Sequence, residues 1–103
     1  MKDIVAKSFK SPLSVDEMVK ALQTNVPEVS WGGRESEYDD LYVLGRTADG
    51  VKIRILNYEA YDELEVYFPS RYFDERKKAF MARIDAEVLP AIGATEVPHG
   101  IAT

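Results

Sequence analysis

The densest run of side chains able to do chemistry is Glu35-Ser36-Glu37-Tyr38-Asp39-Asp40. Tyr58, Glu59, Tyr61 and Asp62 form a second acidic, tyrosine-bearing group. Three kinds of chemistry suit such carboxylates. Calcium binding by hard oxygen ligands fails on spacing: an EF-hand loop opening at Glu35 wants Gly sixth and Glu twelfth, and the chain has Asp40 and Arg46 there. Acid–base or glycosidic chemistry needs two carboxylates at a set separation, which spacing alone does not supply, and a small chain has little room for a sugar cleft. The third use is recognition of a basic surface, where complementary fields speed association and fix orientation.

Other candidates are sparse. His99, the sole histidine, lies in Pro98-His99-Gly100 near the C-terminus, without the positioned partner that a general base requires. Gly32-Gly33-Arg34 offers amides and a guanidinium to an anion, but a glycine pair more often lets the chain turn. There are no cysteines, which removes thiolate zinc sites, iron–sulfur ligation and cysteine nucleophiles. No nucleophile elbow, phosphate-binding glycine loop or dinucleotide fingerprint is present. Six tyrosines are many for this size, and tyrosine gives wide contact area for little rotamer entropy. Trp31, set among alternating apolar residues, reads as core or core edge.

The chain that must position these groups has 103 residues, 46% of them hydrophobic and 30% charged, with a net charge of −5. This is the composition of a single folded domain, expected over residues 1–97 with a loose tail at 98–103. Acidity argues against general nucleic-acid binding, which requires surplus cations. No secretory h-region and no membrane-length apolar run occur, so a cytoplasmic location and no membrane contact are expected.

Residues 3–9 read as a strand. Ser14 and Glu17 have capping-box spacing, with Leu13 and Met18 as its hydrophobic staple. Val15, Met18, Val19 and Leu22 then form one helical stripe, predicting a helix over 15–24. The period then changes to two. A short strand around Val29 and Trp31 is expected to stop at Gly32-Gly33. A strand over 41–47 follows, with apolar residues on both faces and no clear register. After the Asp49-Gly50 turn come strands over 51–55 and 64–68. Placing Ile53 opposite Val66 also sets Arg54 opposite Glu65, so pattern and charge agree on an antiparallel pair. A long helix over 71–89 is expected next, stopped by Pro90. Phe73, Phe80, Ile84 and Val88 would make its apolar stripe, with Met81 at the edge. A last edge strand before Pro98 completes the order β-α-β-β-β-β-α-β. The fold class is α+β, a mainly antiparallel sheet with two amphipathic helices on one face.

Charge is unevenly spread: residues 35–65 hold nine carboxylates against three cations, and residues 71–83 five cations against two carboxylates. The helical cations flank the apolar stripe, where their stems cover the core edge rather than read a groove. The expected function is non-enzymatic: a protein-binding module docking Glu35, Glu37, Tyr38, Asp39, Asp40, Tyr58, Glu59, Tyr61 and Asp62 on a basic protein partner. Small acidic inhibitors, such as immunity proteins that neutralise nucleases, share these gross properties. No catalytic residue, cofactor or metal ligand is assigned. One alternative is a small enzyme or ligand-binding domain using carboxylates and Arg34 in a sheet–helix cleft. Another is a subunit burying an edge strand, or Leu44 and Tyr67 on the second sheet face, against its own copy. Monomer and homodimer are both compatible with the sequence.

Overall fold

A computed structural model describes residues 3–35 and 41–96. The predicted capping box is formed. The Ser14 hydroxyl accepts the Glu17 amide at 3.2 Å, and the Ser14 amide donates to the Glu17 carboxylate at 2.9 Å. Two otherwise orphaned amides are thereby satisfied. Helix α1 spans Val15–Asn25 and buries Val15, Met18 and Leu22. Asn25 closes it by donating to the Ala21 carbonyl at 2.8 Å.

Six strands form one sheet: β1 Asp3–Lys10, β2 Ser30–Glu35, β3 Leu41–Arg46, β4 Lys52–Asn57, β5 Asp62–Phe68 and β6 Thr95–Glu96. Their order is β2-β3-β4-β5-β1-β6, with every neighbour antiparallel. The α+β class and element order are those expected. The β4–β5 register is also as predicted, with Ile53 opposite Val66 and Ile55 opposite Leu64. On the other face Arg54 donates twice to Glu65, at 3.1 and 2.8 Å. Along β5 the alternation is regular: Asp62, Leu64, Val66 and Phe68 are buried, and Glu63, Glu65 and Tyr67 half-buried. In β3, Val43 and Gly45 face the core and Tyr42 and Leu44 the other side.

The glycine pair does not stop β2, which runs through to Glu35. Strand pairing with β3 holds Gly32 opposite Leu44 and Gly33 opposite Val43, and among the described glycines only Gly50 and Gly93 have positive φ. A glycine with extended φ keeps its ladder bonds, so two in a row need not end a strand. The position that needs glycine is Gly45, opposite Trp31, where a Cβ would meet the indole Cζ3 at 2.5 Å. The indole Nε1 donates to the Val26 carbonyl at 2.9 Å, tying β2 to the end of α1.

The second helical region also departs from expectation. Helix α2 spans Asp74–Arg83, a π-helical turn follows over Ile84–Val88, and a last turn α3 covers Leu89–Ala91. Pro90 therefore lies inside the helix. Its ring lacks an amide and crowds the carbonyl four residues back, and the wider π-turn, in which the Leu89 amide donates to Ile84, accommodates that loss. The true stop is Gly93 at φ 64°, where the Gly93 amide reaches Pro90 at 3.1 Å and the Ala94 amide reaches Leu89 at 3.0 Å. Phe73 precedes the helix as its N-cap and is 61% exposed, so it leaves the predicted stripe. Tyr72 is buried in its place, its ring 5.5 Å from Phe68. Ile84 and Val88 are buried as predicted, with Phe80 and Met81 packed against the core.

Candidate partner-binding surface

The antiparallel register places the end of β2, the start of β3, the end of β4 and the start of β5 together. Glu35 pairs with Leu41 and Asn57 with Asp62, so the 58–61 hairpin and the strand ends bounding residues 36–40 share one end of the sheet. Glu35, Tyr58 and Glu59 are exposed there, Tyr58 at 44%. The hairpin is closed by the Tyr58 amide donating to the Tyr61 carbonyl at 2.9 Å. The two rings rest against each other at 5.3 Å, tilted by 48°. Burial, reinforced by the fields of Glu63 and Glu65, raises the Tyr58 phenol above its ordinary pKa. Glu37, Tyr38, Asp39 and Asp40 lie outside the described residues, as do His99 and the 98–103 tail.

Asp62 does not belong to this surface. It is fully buried, accepting the Ser11 amide at 2.9 Å and the Asn57 side-chain amide at 2.5 Å. Ser11 in turn donates through its hydroxyl to the Ile92 carbonyl at 2.6 Å. The carboxylate pins the end of β1 to the start of β5, and the serine carries the link to the end of the helix. The signal was present in the sequence: Asp62 shares strand parity with Leu64 and Val66, which points it inward.

Arg34 is exposed on the sheet face opposite the helices and donates to the Gly33 carbonyl at 2.9 Å, so it lies in no sheet–helix cleft. A groove of about 360 Å³ does lie beside α2, lined by charged groups that pair with one another. Arg76 binds Asp49 at 2.7 Å and Arg83 binds both Glu28 and Glu87. Asp49 is held below its usual pKa by hydrogen bonds from Thr47 and Tyr72, the opposite of what an acid catalyst needs. Among the described residues no cluster of His, Asp or Glu could hold a metal ion, and no helix is long and apolar enough to cross a membrane.

Sequence reasoning singled out only Leu44 and Tyr67 on the helix-free face of the sheet. Tyr42, Leu44, Arg46, Lys52, Arg54, Glu65 and Tyr67 project there from β3, β4 and β5, and Ile4 from β1 is 50% exposed. Arg54 and the Tyr67 hydroxyl both donate to Glu65; burial alone would raise the pKa of that carboxyl, but these bonds hold it below its usual value. Compared with models of known protein families and with curated proteins, the chain matches none.

Proposed function

We propose that the chain is a non-enzymatic protein-binding module whose acidic, tyrosine-bearing sheet end docks on a basic protein surface, in the manner of a small inhibitor. The observation that carries this reading is the 58–61 hairpin. It holds a partly exposed Tyr58 against Tyr61, beside Glu59, at the same sheet end as Glu35. Ring contact and the backbone bond preorganise the tyrosines, so little entropy is lost on binding. Surrounding carboxylates would draw a cationic partner in and orient it.

The test is affinity capture from the native host at low salt, with wild type and Asp39→Lys/Asp40→Lys run in parallel. A basic protein retained by wild type and lost by the variant is the expected result. If charge reversal leaves capture and its salt dependence unchanged, this surface is not the docking site.

A second reading is favoured by Ile4, half exposed, and by half-buried Leu44 and Leu56 on the helix-free face. That face would be covered by a second copy of the chain. Light scattering giving twice the 11.6 kDa chain mass supports it, and a monomeric mass removes it.

A further inference from the structure

Strand β2 ends the sheet on one side, so half of its backbone groups face away from β3. The register says which half. The Thr47 amide donates to the Val51 carbonyl at 3.0 Å, which makes these two a hydrogen-bonded pair at the end of the β3–β4 ladder. Such pairs alternate along antiparallel strands. Val43 and Gly45 therefore turn their backbone groups to β4, and Tyr42, Leu44 and Arg46 turn theirs to β2. Ser30, Gly32 and Arg34 answer them, which leaves Trp31, Gly33 and Glu35 with amides and carbonyls directed outward. Two of these outward carbonyls are taken by side chains. Gln23 of α1 donates to Trp31 at 3.1 Å, and Arg34 bends from the helix-free face to donate to Gly33 at 2.9 Å. Gly32 gives the arginine its path, since a Cβ there would stand 3.2 Å from Nη1. A strand added to β2 would lie about 4.8 Å away, in the space that both side chains occupy.

We propose that Gln23 and Arg34 are latches that close the β2 edge to a second copy of the chain. Water alone would satisfy two exposed carbonyls. Bonds from two different elements to successive outward oxygens therefore do more than satisfy them: they block the path of a strand. Without them β2 would invite its own copy. It contains no proline and no positive-φ residue, and its edge is self-complementary. Set antiparallel with Gly33 opposite Gly33 of the copy, it pairs Trp31 with Glu35, so all three outward residues of each strand find partners. The same register sets Arg34 opposite Gly32, with no like charges opposed. Neither latch residue belongs to the proposed acidic docking surface, so either assignment can fail without the other.

The experiment compares the full chain with Gln23→Ala, Arg34→Ala and the double variant by light scattering over a concentration series. Amide hydrogen exchange, read by NMR, accompanies it, and the β4–β5 amides in the same spectra report that each variant is folded. Wild type is expected to exchange quickly at Trp31 and Gly33. The double variant should self-associate about tenfold or more tightly than wild type, the scale of two competing hydrogen bonds removed. Its Trp31 and Gly33 amides should become protected as it does so, and each single variant should fall between. Adding Gly33→Pro to the double variant removes an outward amide, leaves the β2–β3 ladder its bonds, and should restore the wild-type mass. A wild type already dimeric through the helix-free face would double again in the double variant, with the same two amides protected. Three results overturn the proposal: a double variant that keeps the wild-type mass, association that leaves exchange at Trp31 and Gly33 fast, or a self-associated wild type that already protects them.

Discussion

At the residue scale the fold rests on a few side chains whose roles differ from what their chemistry first suggests. Asp62 belongs to an acidic group that reads as surface, yet it is fully buried as the acceptor for Ser11 and Asn57. Asp62→Ala leaves the Ser11 amide buried without an acceptor and should cost about 1–3 kcal/mol in denaturant melts, with no direct effect at a docking surface. Gly45 is required by the Trp31 ring. Gly45→Ala should cost about 1–3 kcal/mol, because the indole is held by its bond to Val26 and cannot swing aside. Gly32→Ala is the control: its Cβ would meet only the flexible end of Arg34, at 3.2 Å, so stability should barely change. Asp49 and Glu65 supply a pH dependence. Both have pKa values lowered in the fold, so their stabilisation is present above the unfolded carboxyl range and lost as pH falls through the lower folded values. An acid titration of stability should therefore be shallower in Asp49→Asn than in wild type below about pH 4.

At the element scale, legibility followed how local the physics is. The capping box, the α1 stripe and the β4–β5 pairing depend on neighbours in sequence or on one turn, and each could be read from the residues. The Ile53/Val66 and Arg54/Glu65 matches carried independent information, apolar on one face and ionic on the other, and together they singled out the register. The glycines of β2 misled because the ladder to β3, a tertiary partner, overrides the turn preference of Gly32-Gly33. Pro90 misled for a related reason. A proline reads as a stop, but a π-turn before it accommodates the missing hydrogen bond, and the helix continues to Gly93. Gly93→Ala should therefore destabilise by about 1–2 kcal/mol, since an L side chain at φ 64° is strained. Calorimetry of that variant against wild type measures the cost directly. Of the candidate surface, the exposed Tyr58–Glu59 turn was readable because hairpin tips are exposed by construction. Asp62, three residues beyond Glu59, was misread because turn composition was weighed and strand parity was not.

At the scale of the whole molecule, the net charge of −5 resolves into separate regions. The long helix carries a surplus of cations, but Arg76 and Arg83 are paired with Asp49, Glu28 and Glu87, so much of its charge is spent within the fold. Carboxylates gather at one end of the sheet, around the 58–61 hairpin. Arg46 and Lys52 lie side by side at the other, on the helix-free face. Helices cover one face of the sheet and leave the second open, which makes that face and the two ends the places where partners can act. The central claim, docking of the acidic end on a basic partner, is tested most directly by the salt dependence of the complex. Affinity of the captured partner should be measured from low to high salt for wild type, Asp39→Lys/Asp40→Lys and Tyr58→Ala. Wild-type affinity should fall steeply with salt. The charge-reversed variant should bind weakly with a flattened salt slope, and Tyr58→Ala should lose about tenfold or more while keeping the wild-type slope. Equal affinities and equal slopes for all three proteins would contradict the assignment.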